Sequence, residues 1–178
     1  QYNDAIEVFW ATGACLFVRA LHFNEVGGFD EDFFAHQEEI DICWRLRNKG
    51  YKIMVEPQSV VCHVGGATLN ASSPFKTYLN FRNNLFMLFK NLPLYSLFIV
   101  LPVRLLLDGI AAFVFLSKQK GVHHLVAIMK AHFSFYFTIP RLIYKRMHIN
   151  QRNNLVGKMS WSILVKNKLK GINIFSEL

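Results

Sequence analysis

Three carboxylates, Glu38, Glu39 and Asp41, lie within four residues of one another and are the strongest chemical signal in this 178-residue chain. Acids in the first turn of a helix are favoured by the helix dipole and need no other role. Beneath a Gly-Gly turn and a Phe-rich loop, however, adjacent carboxylates can lie in a cleft that removes water from one of them and raises its proton affinity. Such a carboxylate can serve as a general base toward a substrate hydroxyl.

The residues that follow these acids predict the helix that must position them. From Ile40 onward, apolar residues recur at spacings of three and four, and Gly50 stands where a left-handed C-terminal cap is expected. Three basic residues in the last turns complement the helix dipole, namely Arg45, Arg47 and Lys49. We therefore predict a helix that begins near Gln37 or Glu38.

Shorter elements flank this helix on both sides. Residues 14–18, 51–55 and 59–64 are rich in apolar and β-branched residues, and each segment predicts a strand. Residues 19–26 predict a short amphipathic helix. The predicted order of elements is therefore strand, helix, the acidic helix, strand and strand.

The spacing of the cysteines and the absence of common catalytic motifs exclude several classes of site. The chain has no C-x-x-C pair, no P-loop, no G-x-S-x-G elbow and no Rossmann glycine fingerprint. The three cysteines lie within apolar patterns and predict buried thiols in a reducing compartment: Cys15, Cys43 and Cys62.

Charge divides the chain into two parts. Residues 1–63 carry ten acids and five Lys/Arg, a net charge of −5, whereas the remainder carries two acids and fifteen Lys/Arg, a net charge of +13. In the basic part, residues 75–92 and 122–146 predict helices whose aromatic and cationic residues suit an anionic membrane surface. A buried core helix is the alternative. A nucleic-acid partner is disfavoured because the charges are interleaved with long apolar runs.

The segment 94–116 is the most apolar of the chain, with 23 residues and two charges. Its length is sufficient to cross a bilayer. Arg104 and Asp108 stand four residues apart and would meet on one helix face, where each costs about 2.5–3.5 kcal/mol at the bilayer centre. Basic residues flank both ends of the segment and define no orientation. We favour helices that lie in the membrane interface or dip into it, rather than one helix that spans the membrane.

A series of short motifs occurs in a fixed order across about 60 residues: Gly13-Ala14, Arg19, Phe23, the run from Val26 to Glu31, Phe33-Phe34, the run from Glu38 to Leu46, Gly50-Tyr51, Pro57 and His63. This order resembles the second half of the catalytic domain of family 2 inverting glycosyltransferases of the GT-A fold, especially bacterial rhamnosyltransferase-like enzymes. The triplet Arg82-Asn83-Asn84 also resembles a segment that follows the catalytic core in that family.

The resemblance implies roles for individual residues. Where the family usually has Glu-Asp with the aspartate as general base, this chain has Glu38-Glu39, so the base would be Glu39, with Glu38 or Asp41 positioning the acceptor or supporting the base. The acceptor side of the cleft would be lined by Trp10, Gly13 and Ala14. His63 would complete a divalent Mn or Mg site whose other ligands belong to an upstream Asp-x-Asp motif.

These observations together predict the C-terminal portion of a membrane-associated glycosyltransferase. By this resemblance, residues 1–72 would form the acceptor-side half of an α/β GT-A domain, residues 73–147 basic and apolar membrane-associated helices, and residues 148–178 a basic tail. The family's nucleotide-binding half, with its Asp-x-Asp motif, would precede residue 1, so we expect the chain alone to be inactive.

The predicted reaction transfers a sugar from a nucleotide-sugar donor to a saccharide or lipid-linked acceptor in surface polysaccharide synthesis. It would take place at the cytoplasmic face of the plasma membrane. A non-catalytic membrane-binding module is the alternative. A processive synthase is disfavoured because the chain has no Gln-x-x-Arg-Trp segment.

Overall fold

The computed structural model describes residues 3–63, 72–117 and 120–149, and within them the chain is mostly helical with one small sheet. The predicted α/β class is therefore only loosely compatible with the structure. Two short 3-10 turns, Gly13–Cys15 and Glu31–Phe33, supplement the regular elements. In chain order those elements are β1 (Ile6–Val8), α1 (Ala20–Glu25), α2 (Glu38–Lys49), β2 (Ile53–Val55), α3 (Pro74–Asn91), α4 (Leu94–Leu116) and α5 (Gly121–Met147).

The predicted acidic helix is confirmed as α2, and Gly50 ends it with a φ of 99°. The basic residues of α2 do more than complement the helix dipole. Arg45 and Arg47 are buried and bind backbone carbonyl groups. Arg45 donates hydrogen bonds to the carbonyls of Val26 and Gly28, which follow α1. Arg47 donates to the carbonyl of Val8 in β1 at 2.8 Å. These two arginines therefore join α2 to the segments before it.

The sheet is smaller than the sequence predicts. Antiparallel β1 and β2 pair with Ile6 opposite Val55, and no further strand occurs in the described residues. The predicted strand at 14–18 is wrong, because Thr12 caps a 3-10 turn at Gly13–Cys15. Residues 59–63 are also not a strand, and residue 64 lies outside the described residues. A strand is stable only with a hydrogen-bonding partner, and neither segment has one there.

The cysteine prediction is correct for one residue. Cys43 is buried in α2, and burial raises the pKa of its thiol. Cys15 and Cys62 are exposed, because the segments that contain them do not join the sheet. The prediction of buried thiols is therefore wrong for those two.

Helices α3, α4 and α5 confirm the three predicted helices. Leu92 and Pro93 connect α3 directly to α4, and α5 packs along α3 and against α4. The largest core contains residues from α2, from the loop before it and from all three long helices, so these parts share one interior. Its buried members are Phe33, Trp44, Leu85, Phe86, Met87, Leu92, Leu97, Phe135 and Leu142.

Ion pairs connect the acidic and basic parts of the chain. Asp30 pairs with Lys90 of α3 and with Lys145 of α5, both at 2.5 Å. Asp32 pairs with Lys145 and, at 3.0 Å, with Arg141 of α5. Acids before residue 72 thus pair with basic residues after it, and these ion pairs hold the two parts of the chain together.

Helix α4 is long and apolar enough to cross a membrane, as judged by its length and composition, and most of its surface is exposed. Its two charged residues meet as predicted, with Arg104 and Asp108 2.8 Å apart. Asp108 also lies 3.1 Å from His132 of α5 and is buried. The charges of α4 therefore face the helix bundle, and the exposed surface of α4 is apolar.

Candidate active site

Glu38 and Glu39 begin α2, at the end of the loop that docks on α3. Both side chains are half-buried. Each carboxylate has one enclosed oxygen, Oε2, that no group in the described parts of the chain contacts by a hydrogen bond. A buried acceptor without a partner carries a desolvation cost, and in native proteins such atoms concentrate where function requires them.

Glu39 faces the segment that precedes α1. A Cβ atom placed on Gly13 would lie 3.6 Å from Cβ of Glu39. One turn further along α2, the thiol of Cys43 interacts with the backbone of Ala11. Residues 11–13 therefore cross the face of α2 that carries Glu39, and Gly13 leaves that side chain free of a neighbouring side chain at this point.

Burial raises the pKa of the Glu39 carboxyl, and the adjacent charge of Glu38 raises it further. Backbone N–H groups at Gln37 and Glu39 and the nearby His36 oppose this rise without cancelling it. The carboxylate is consequently a stronger base than an exposed glutamate would be. This is the property required of a group that removes a proton from a hydroxyl near neutral pH.

The backbone before α2 is strained. Phe34, His36 and Gln37 have φ angles of 62°, 70° and 71°, a region that residues with side chains seldom occupy. Such conformations cost about 1–3 kcal/mol each and persist where surrounding contacts impose them, often at functional sites. The strained segment ends at Glu38, so it determines how both glutamates are presented.

Asn83 of α3 is the contact that holds this segment in place. Its fully buried side-chain amide donates to the carbonyls of Phe33, Ala35 and His36 at 3.0, 2.8 and 2.8 Å. The neighbouring Arg82 donates hydrogen bonds to the carbonyls of Asp32 and Phe33, the latter at 3.0 Å. The loop geometry is therefore imposed by α3, about 50 residues further along the chain.

Asp41 differs from the two glutamates because it is fully buried and its carboxylate is occupied. Arg45 and Lys90 form ion pairs with it at 2.8 and 2.9 Å, and the amide of Asn91 donates to it at 2.8 Å. This network fixes α2 against α3. Among the roles predicted for Asp41, the structure is compatible with supporting the base, and the full burial of its side chain leaves no surface for an acceptor.

The predicted acceptor-side residues lie before α1. Gly13 is adjacent to Glu39, as described above. Ala14 follows it within the same 3-10 turn and is exposed, and Trp10 is also exposed. The structure thus brings Gly13 together with the predicted base, and acceptor binding by the three residues stays a prediction.

His63 lies exposed at the end of a described segment. Within residues 3–63, 72–117 and 120–149, no three His, Cys, Asp or Glu side chains are grouped so that they could hold a metal ion. The described residues therefore do not form a Mn or Mg site by themselves. The predicted contribution of His63 to such a site stays a prediction.

Sequence reasoning missed the functions of Asn83 and Lys90. Lys90 is buried and binds both Asp30 and Asp41, although it was interpreted only as a source of positive charge. Burial alone would raise the pKa of Asp30. The ammonium groups of Lys90 and Lys145 nevertheless hold that pKa well below its usual range. The available signal was the uninterrupted run of polar residues from Arg82 to Asn84, since buried amide side chains require hydrogen-bond partners.

Several curated glycosyltransferases are similar to part of this chain. An N-acetylglucosaminyl-diphospho-decaprenol L-rhamnosyltransferase of Mycobacterium tuberculosis is 41% identical over 54 residues, 30% of this chain and 18% of that protein. Rhamnosyltransferase WbbL of Escherichia coli is 36% identical over 62 residues, 35% of this chain and 23% of that protein. A low-salt glycan biosynthesis hexosyltransferase, Agl10 of Haloferax volcanii, is 31% identical over 80 residues, 41% of this chain and 24% of that protein.

The matches thus span between 18% and 24% of the length of these three relatives. No family model matches the chain, and no solved structure matches it. The similarities support a glycosyltransferase family, with members named for glycan biosynthesis. This agrees with the family-level prediction made from the sequence.

Proposed function

We propose that this chain forms the acceptor-side part of an inverting glycosyltransferase in which Glu39 is the general base. The observation that carries the proposal is the environment of Glu39. It combines an enclosed oxygen without a partner in the described residues, a raised pKa and an adjacent Gly13 that leaves space beside the carboxylate. Similarity to named rhamnosyl- and hexosyltransferases supplies the reaction class.

In the proposed reaction, Glu39 accepts the proton of an acceptor hydroxyl as its oxygen attacks the anomeric carbon of the donor sugar. The bond from that carbon to the nucleoside diphosphate breaks on the opposite face, which inverts the anomeric configuration. A positioned base of this kind contributes about 10²–10⁴-fold to the rate. Asp41 supports the base indirectly, because its ion pairs hold α2 in place.

The donor would be a nucleotide sugar, and the acceptor would be a saccharide or a lipid-linked saccharide. The name of the Mycobacterium tuberculosis relative states a decaprenol-linked acceptor for that protein. We propose that residues outside this chain bind the nucleotide. A divalent Mn or Mg ion would neutralise charge on the leaving diphosphate when bound. His63 would supply one ligand to this ion.

We further propose that α4 and α5 hold the protein at the cytoplasmic face of the plasma membrane. The exposed surface of α4 is apolar, and its charged residues are turned toward the bundle. Exposed apolar area of this extent is unusual on a monomeric soluble protein. A membrane location would also place the site near a lipid-linked acceptor.

The test measures release of nucleoside diphosphate by the complete gene product that contains this chain, in native membranes with manganese, lipid extract and a panel of sugar nucleotides. We expect one donor to turn over and Glu39→Gln to lower kcat by at least about 10²-fold, with donor binding unchanged. Glu56→Gln, which alters an exposed carboxylate outside the proposed site, is the matched control and should retain full activity. If both variants turn over like the wild type, the base assignment is wrong.

A non-catalytic membrane-binding module is the second candidate function. It is favoured by one observation, that α4 is long and apolar enough to span a membrane. In that case no donor would turn over, while the protein would still bind membranes. The donor panel therefore separates the two functions.

A further inference from the structure

Four polar side-chain atoms around the start of α2 are enclosed and have no hydrogen-bond partner in the parts of the chain that the structure describes. They are Nε2 of His36, Oε2 of Glu38, Oε2 of Glu39 and Oδ1 of Asn84. Asn84 belongs to α3, but its amide lies 3.4 Å from the side chain of Gln37, which brings it beside the other three residues. Enclosed polar atoms in native proteins are normally paired, so a group of them at one place is expected where a ligand supplies the partners.

The chemistry of these four atoms restricts the class of ligand. Carboxylate and amide oxygens accept hydrogen bonds, and an imidazole nitrogen can donate one. Two carboxylates disfavour an anion. A metal ion is also disfavoured, because no three His, Cys, Asp or Glu side chains within the described ranges are grouped closely enough to hold one. A neutral molecule with several hydroxyl groups fits, since each hydroxyl can both donate and accept.

His36 extends from backbone that the rest of the fold holds in place. Its φ of 70° lies in the left-handed region, where histidine is more frequent than most residues with side chains. The amide of Asn83 donates to its carbonyl at 2.8 Å, and the next residue, Gln37, donates to the carbonyl of Asn80 at 3.1 Å. The imidazole is partly buried. A group fixed in this way loses little conformational freedom when it binds a ligand.

His36 is also close to the proposed base. It precedes Glu39 by three residues, and its charge acts on the Glu39 carboxyl, where it opposes the rise in pKa that burial causes. Gly13 leaves space beside Glu39 for a bound molecule. One hydroxyl at Glu39 and a second hydroxyl at His36 can therefore belong to the same ligand.

We propose that His36 is an acceptor-binding residue that determines acceptor specificity. Its Nε2–H donates a hydrogen bond to a hydroxyl of the acceptor other than the one that loses its proton to Glu39. Glu38 and Asn84 accept hydrogen bonds from further hydroxyls. The inference rests on the proposed function, because it concerns the acceptor of the same site. An acceptor without the second hydroxyl leaves an enclosed donor unpaired, and the site rejects it for that reason.

The first experiment measures the kinetics of the complete gene product in native membranes, with lipid extract as the source of acceptor. We expect His36→Ala to raise the apparent KM for the extract by about 5–20-fold, with the donor KM unchanged and kcat within about twofold. His36→Gln retains a side-chain N–H donor and should restore most of the affinity. His123→Ala removes an exposed histidine of α5 and is the matched control, with wild-type kinetics expected.

The comparison of alanine with glutamine isolates the hydrogen bond, because both variants retain the strained backbone at position 36. A role in structure alone would raise the KM of donor and acceptor together. That result, or equal acceptor KM values for His36→Ala and His36→Gln, would overturn the proposal.

The second experiment needs no donor. The full chain in phospholipid nanodiscs, with ¹³Cε1-labelled histidine, is titrated with the methyl glycosides of L-rhamnose, D-glucose and N-acetyl-D-glucosamine. We expect at least one glycoside to shift the His36 resonance, which is identified by its absence in His36→Gln, and to leave that of His123 unchanged. The comparison compound 2-methoxytetrahydropyran has the ring and the methoxy group but no hydroxyls, and it should shift neither. A shift by none of the glycosides, or an equal shift by the comparison compound, would contradict the proposal.

Together the two experiments separate this inference from the proposed function. If sugar transfer proceeds and His36→Ala leaves the acceptor KM unchanged, the role of His36 is wrong and the proposed function stands. If no donor turns over while a glycoside still shifts the His36 resonance, the proposed function fails and the saccharide contact stands.

Discussion

The ionised side chain of Glu39 should destabilise the folded chain, because the burial that makes it a stronger base also disfavours its charge. Its pKa is raised from the ordinary value of 4.5, so between that pH and the raised value the unfolded chain loses the proton first. The favourable contribution of protonated Glu39 is therefore present below about pH 4.5 and is lost as the pH rises through the folded-state pKa. At neutral pH the ionised group carries its full desolvation cost.

We accordingly predict that Glu39→Gln stabilises the protein at pH 7 and has little effect at pH 4. The gain should not exceed about 1 kcal/mol, since the side chain is only half-buried and solvent screens its charge. Thermal unfolding followed by circular dichroism at the two pH values measures the difference. A stability gain that is equal at both pH values would contradict the raised pKa as its cause.

Asn83 is predicted to be the residue on which the geometry of the site loop depends most. Asn83→Ala removes the donor shared by three carbonyls and should cost about 2–4 kcal/mol of unfolding free energy, because buried acceptors lose their partner. Asn84→Ala is the matched control, since its amide makes one 3.4 Å contact with Gln37. We expect that variant to cost less than about 1 kcal/mol in urea unfolding. Equal costs would contradict the assigned role of Asn83.

At the level of elements, the turn between α4 and α5 depends on Gly121. A Cβ atom on Gly121 would lie 2.3 Å from the carbonyl oxygen of Phe115 and 2.7 Å from Cα of Leu116, both backbone atoms that cannot move aside easily. Gly121→Ala should therefore displace the start of α5 and lower the melting temperature by several degrees.

Gly109 provides the control for this prediction because it is also a helix glycine but has open space around it. Gly109→Ala should be neutral or should stabilise α4 by up to about 1 kcal/mol, since alanine loses less backbone entropy in a helix. Thermal unfolding of the two variants under the same conditions gives the comparison. If Gly121→Ala were as stable as Gly109→Ala, the close approach of α5 to the end of α4 would be wrong.

The helices of this protein were predictable because their signals are local. The apolar periodicity and Gly50 located α2, and the long apolar run at 94–116 located α4. The segments 14–18 and 59–63 have strand-like composition, but a strand depends on a partner elsewhere in the chain, and composition does not reveal whether one exists.

The site was predictable to a similar extent. The acidic residues and the adjacent Gly13 were named from their types and from a family resemblance, and the structure places Gly13 beside Glu39. The clamp by Asn83 and the ion pairs of Lys90 join residues 47 to 60 positions apart, so a local pattern could indicate that these side chains need partners but not which partners they have. The positive φ angles before α2 follow from that clamp and were equally inaccessible.

At the scale of the whole molecule, the separation of charge has two consequences. Part of the positive charge of the C-terminal helices is used internally, because Lys90, Arg141 and Lys145 pair with Asp30 and Asp32. The exposed surface of α4 is left as apolar area, since Asp108 turns toward Arg104 and His132. A single interior thus connects the proposed site to the surface proposed to meet the membrane.

The membrane proposal predicts that a charge on the exposed face of α4 weakens membrane binding. Leu106→Lys introduces a cation near the middle of α4, and Leu21→Lys introduces one on α1; the original side chains are 66% and 75% exposed. If α4 enters the bilayer core, Leu106→Lys should cost about 2.5–3.5 kcal/mol, or about two orders of magnitude in partition. If α4 lies in the interface, the lysine can extend to the head groups and the loss should be smaller. Co-sedimentation with anionic liposomes measures both variants, and equal partition of Leu106→Lys and Leu21→Lys would contradict a membrane role for α4.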